Sequence, residues 1–99
     1  MNMQKLMQEA QKMQSKLLKE QAELESTTYE GESSLVHVTV NGKKDIVSIK
    51  LNLDSEFSVD DTEILEDMIV VAINDAMKKA DTDKEQRMGK YGQGLSGLM

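Results

Sequence analysis

The chain has 99 residues, no proline, no cysteine and a formal net charge of -6 at pH 7. That length makes one small domain, and the lack of cysteine excludes a disulfide framework and thiolate metal sites and fits a reducing compartment. No apolar run approaches the roughly 20 residues that span a bilayer, and the opening MNMQKLMQ is too polar for a secretory signal, so a cytoplasmic protein is expected.

From Met3 to Leu24 the apolar positions Met3, Leu6, Ala10, Met13, Leu17 and Leu24 follow a heptad a/d pattern, broken by Glu20 at one d position. The spacing predicts a helix of about 23 residues, about 35 Å long, with Asn2 capping its first turn. On a helical wheel Lys5, Lys12, Lys16 and Lys19 fall within about 60° of one another, on the side opposite the apolar seam. Glu9 and Glu23 share that side, so the stripe is basic without being purely so.

Three segments rich in β-branched residues follow, STTYE, LVHVTV and DIVSIKLNL, separated by GESS and NGKK. Joined by a two-residue type II′ turn at Gly42 and Lys43, the last two form a hairpin in which Val38 faces Val47 and Val36 faces Ile49, a register preferred to that of a type I′ turn at Asn41 and Gly42, which would set Val38 against Asp45. The alternation sets the valines on one face and His37, Thr39, Ser48 and Lys50 on a wet face. Such a hairpin needs a helix or a second subunit over its dry side.

The last element begins at SVDDTEI, with Asp60 as N-cap, Glu63 at N3, and Val59 against Ile64 as a hydrophobic staple. Leu65, Met68, Ile69, Ala72, Ile73, Ala76 and Ala80 carry an apolar helix face on to about Glu85. Lys78, Lys79, Lys84 and Arg87 gather toward its C-terminal end, where the helix dipole favours cations. The expected order is helix, three strands, helix, with residues 1–88 as a single domain and 89–99 as a flexible glycine-rich tail.

Catalytic chemistry has little to work with. His37 is the lone histidine and belongs to a wet strand face, and there is no phosphate loop or dinucleotide fingerprint. The acids Asp54, Glu56, Asp60, Asp61, Glu63, Glu66 and Asp67 lack the central glycine of a Ca²⁺ loop and run into a helix, so they read as its solvated acidic start. No catalytic residue, metal ligand or cofactor site is expected.

Taken together, MNMQKLMQEAQKMQSKL, VHVTVNGKKDIVSIKL and DDTEILEDMIVVAINDAMKKA, followed by RMGKYGQGL, resemble the YbaB/EbfC family of bacterial nucleoid-associated proteins along nearly the whole chain. The resemblance implies an α+β fold, an α-β-β-β-α protomer with a three-stranded antiparallel sheet between long terminal helices. It also implies a tweezers-like homodimer that binds double-stranded DNA with little sequence preference, affecting nucleoid organisation and gene expression. On that reading Lys5, Lys12, Lys16, Lys19, Lys78, Lys79, Lys84 and Arg87 contact phosphates. A protein adaptor in replication or recombinational repair, with replication or recombination proteins as partners, is the alternative that the resemblance raises. Relatives usually carry more glycine before the second strand and prolines after the third and in the tail, which this chain lacks.

The net negative charge predicts a weak, salt-sensitive affinity for DNA but does not veto binding, because it is local. Residues 54–85 hold eleven acids against three bases, whereas residues 1–25 are balanced at four each. With screening over about 8 Å at physiological salt, a basic stripe on a helix about 35 Å long is independent of acids at the far end.

Overall fold

A computed structural model of the chain describes the backbone of residues 2–96 and the side chains of residues 2–89. The elements are α1 (Met3–Ser26), β1 (Thr28–Ser33), β2 (Val36–Asn41), β3 (Ile46–Leu51), a short 3₁₀ turn (Val59–Asp61) and α2 (Thr62–Ser96). This is the expected α-β-β-β-α order, and the three strands form one antiparallel sheet in the order β1-β2-β3. Asn2 caps α1 as expected, its side-chain oxygen accepting from the Gln4 amide at 3.0 Å.

The core is narrow. Val36, Val38 and Val40 on β2 are buried against Ala72, Ala76 and Ala80, which recur every fourth residue along one line of α2. Alanines offer no bulk to hold the helix off, so α2 comes down onto the backbone of β1. A Cβ at Gly31 would lie 2.1 Å from the Ala72 carbonyl oxygen and 2.5 Å from the Ala76 nitrogen. Tyr29, Leu65, Met68, Ile69, Ile73 and Met77 pack around that line.

α2 also closes the outer edge of β1. Asp75 accepts from the Glu32 amide at 3.2 Å, and the Lys79 ammonium donates to the Glu30 carbonyl at 2.8 Å. The two side chains pair with each other at 3.3 Å, so they occupy backbone groups that an unprotected edge would offer to another strand. β3, at the other edge, has no such cover among the described residues, where β1 and β2 are the strands that α2 packs on.

Four sequence expectations are corrected. β1 lies later than STTYE and runs through Gly31 to Ser33, with the reversal at Ser34 in a left-handed conformation. The hairpin register is Val38 with Ile49 and Val36 with Leu51, two residues from the expected one. The cause is a longer turn: the Asn41 side chain accepts from the amides of Lys43 at 2.9 Å and Asp45 at 3.0 Å, and Lys44 takes up φ 66°. That Asn-anchored loop replaces the two-residue turn, and a bulge then leaves Val47 out of the ladder. Because the slip is by two, the valines keep their face and His37, Thr39, Ser48 and Lys50 keep theirs.

The helix boundaries account for the other two. The Asp61 carboxylate accepts from the Ser58 amide at 2.9 Å, so Ser58 rather than Asp60 sits at the start. Val59 is 86% exposed and Ile64 56%, so no staple joins them. At its other end α2 continues through Gly89, Gly92 and Gly94 to Ser96, well past Glu85. The run 89–99, expected as a flexible tail, lies within α2 as far as Ser96, and its last three residues lie outside the described residues.

Candidate nucleic-acid interface

α1 stands away from the sheet for most of its length. Its C-terminal end is anchored: Leu24 is buried, and the hairpin tip tucks under it, with the Gly42 amide donating to the Thr27 carbonyl at 3.1 Å. A Cβ at Gly42 would fall 1.9 Å from the Leu24 carbonyl oxygen, so this contact is backbone on backbone. Toward its N-terminus, Met3, Leu6, Met7 and Met13 are exposed, and only Leu17 among the earlier seam residues is half-buried.

On this projecting helix Lys5, Lys12, Lys16 and Lys19 are all exposed, and none has an ion pair among the described residues. From Lys5 to Lys19 the stripe is about 21 Å long at about 1.5 Å per residue. Gln8, Gln11 and Ser15 join Lys12 around a shallow dip on the same flank, adding neutral hydrogen-bond donors that the sequence reading did not single out. Cations and amide donors along one rod are groups that can pair with a row of phosphates.

The α2 candidates divide. Lys78 and Lys84 are exposed without ion pairs among the described residues. Lys84 borders a cleft at the hairpin tip with Lys43, Lys44 and Gln21, and Lys44 pairs with Asp81 at 2.5 Å. These turn lysines were legible in NGKK but were read only as turn residues. Lys79 is committed to the β1 edge.

Arg87 is committed as well. Its Nε donates to Asp83 at 2.8 Å, and a terminal nitrogen lies 3.7 Å from Glu20 and 3.7 Å from Glu23 of α1. The Tyr29 hydroxyl donates to the same Asp83 carboxylate, so one group ties β1, α2 and α1 together. The Tyr29 hydrogen bond, with Arg87 beside it, holds the Asp83 carboxyl below its ordinary value. Burial, reinforced by Asp83, pushes the Tyr29 hydroxyl up to about 12. The break in the α1 heptad is thereby explained, since Glu20 faces a half-buried arginine where a d-position leucine would meet a neighbouring helix.

His37 lies on the wet face with Nδ1 3.0 Å from Glu32 and Nε2 3.2 Å from Glu30. Hydrogen bonds to Glu30 and then Glu32 raise its pKa above the ordinary histidine value. No group of three or more metal-ligating side chains occurs among the described residues, and none of their helices is long and apolar enough to cross a membrane.

The profile of the YbaB/EbfC DNA-binding family matches residues 1–95. A nucleoid-associated protein of Pediococcus pentosaceus is 46% identical over 39 residues, which is 39% of this chain and 38% of that protein. One from Staphylococcus saprophyticus is 49% identical over 37 residues, 37% of this chain and 35% of its own length. The chain thus aligns with well under half the length of these curated relatives. An uncharacterized protein of Helicobacter pylori shares the fold, with a TM-score of 0.71 at 18% identity over 92% of this chain and 97% of that one. With the family profile covering both helices and all three strands, the chain belongs to the YbaB/EbfC DNA-binding family.

Proposed function

We propose that the protein binds double-stranded DNA as a homodimer, with little sequence preference, in the cytoplasm and nucleoid of a bacterium, where it affects nucleoid organisation and gene expression. The observation that carries this reading is the α1 stripe: four exposed lysines without ion pairs on a helix that projects from the sheet. The family match and the names of the relatives agree with it. Lys78 and Lys84 extend the phosphate contacts, while Lys79 and Arg87 act first by holding β1, α2 and α1 in place. The reading assigns no catalytic step, metal or cofactor.

Fluorescence anisotropy of a labelled duplex at several salt concentrations tests it. Log K is expected to fall with log salt at about -0.9 per phosphate neutralised. Lys12→Glu/Lys16→Glu is expected to weaken binding at every salt concentration and on every duplex alike, and to flatten the slope by about two for each engaged protomer. Absence of binding even at low salt would overturn the reading and favour the protein adaptor.

A further inference from the structure

The two ends of the molecule are chemically complementary and cannot meet within one chain. α1 runs antiparallel to the later part of α2: Gln21 and Leu24 face Ala80 and Lys84, and Glu20 faces Arg87. From that contact α1 continues about 25 Å to Met3 in one direction, and α2 extends about 37 Å to its start in the other. The molecule is accordingly 73 Å in its longest dimension.

At one end, residues 2–19 hold four lysines and a single acid, Glu9, beside exposed Met3, Leu6, Met7 and Met13. At the other, Leu35, Phe57, Ile64 and Met68 line a cleft whose rim carries Asp54, Glu56 and Asp61. Glu63, Glu66 and Asp67 continue the acidic surface along α2, with no base anywhere in residues 54–67. None of these three has an ion pair among the described residues. The separation is several times the screening length of about 8 Å at physiological salt.

We propose that the protein also associates end to end, the lysine stripe of α1 in one copy, together with Leu6 and Met13 at the seam edge nearest it, docking on the apolar, acid-rimmed cleft at the start of α2 in another. Charge complementarity selects the occupant: the cleft wants an apolar insert beside cations, and α1 supplies the cations from its lysine stripe and the insert from Leu6 and Met13 at the adjoining edge of the seam. Methionine side chains, unbranched and polarizable, adapt to a shallow cleft of this kind. The contact is heterologous, each copy using one end as donor and the other as acceptor, so it propagates as an open chain. It goes beyond the DNA reading but shares its lysines, and its test contains no DNA, so that the two fail separately.

Sedimentation velocity of the full chain over a range of protein concentration is the experiment, at about 0.01 M and about 1 M salt, where the screening lengths are about 30 Å and about 3 Å. At low salt the sedimentation coefficient is expected to keep rising with concentration, and at high salt to collapse to a salt-resistant unit. Lys12→Glu/Lys16→Glu and Glu63→Lys/Glu66→Lys, each confirmed as folded by circular dichroism, are each expected to remain at that unit at low salt. An equimolar mixture of the two variants restores growth, because one retains the acidic cleft and the other the basic helix. A wild-type protein that does not grow at low salt, or a mixture that sediments as the sum of its components, overturns the proposal.

Discussion

At the scale of single residues, His37 shows how a side chain on a solvated face comes to favour its protonated form. Glu30 and Glu32 of β1 each take one ring nitrogen, and Lys50 is its register partner on β3. The alternation of VHVTV places His37 on the wet face from sequence alone, but the two glutamates were out of reach of that reading. They join it only because β1 runs through Gly31, a residue read as part of a separator. Since the folded pKa lies above the unfolded value, near 6.5, the stabilisation is fully present below about pH 6.5 and is lost as pH rises through the raised folded value. Thermal melts of the wild type and His37→Gln are therefore expected to differ most below about pH 6.5 and to converge as pH rises past the raised folded value. Equal differences at every pH would show that the two carboxylates do not hold the proton.

At the scale of elements, the crossing of α2 over β1 turns on one missing side chain. Gly31→Ala would drive a methyl into backbone of Ala72 and Ala76, atoms that cannot rotate aside, so the helix must lift or the strand must bend. A loss of at least about 2 kcal/mol is expected, read as a fall in Tm of about 10 °C for a domain this small. Gly89→Ala supplies a control of opposite sign. Its Cβ would meet nothing within 4 Å, and alanine within a helix is favoured over glycine by about 1 kcal/mol, so Tm should rise by a few degrees. Long, strongly patterned elements were legible in the sequence: both helices, the valine face of β2 and the Asn2 cap. What escaped it depended on contacts between distant residues or on turn chemistry. The Asn41 side chain lengthened the hairpin loop, Ser58 took the cap from Asp60, and the Arg87 hub absorbed two of the α1 acids. Of the candidate site, the exposed stripe on α1 was readable from spacing, whereas the commitment of Lys79 and Arg87 to the fold was not.

At the scale of the whole molecule, the sheet is covered on one side and only in part. Ile46, Ile49 and Leu51 share the face of the buried valines, yet no part of α2 reaches them; Ile49 is 43% exposed and Leu51 42%. With a core built on three valines and three alanines, a second subunit over this strip is the burial that the proposed homodimer supplies. In about 1 M salt, where the end-to-end contact is screened, light scattering is expected to give twice the chain mass of 11.1 kDa for the wild type and the single-chain mass for a folded Ile49→Asp variant. A wild-type protein with the mass of one chain, or a dimer that survives Ile49→Asp, would remove that interface. The closed edge of β1 has a further consequence for how the protein is made. Its two caps, Asp75 and Lys79, lie more than 40 residues after the strand they protect. At about 5–20 residues per second, the ribosome takes several seconds to supply them. Throughout that interval the nascent sheet carries two open edges, which makes this the stage of synthesis at which neighbouring chains on one message can cross-pair, and at which early chaperone contact counts most.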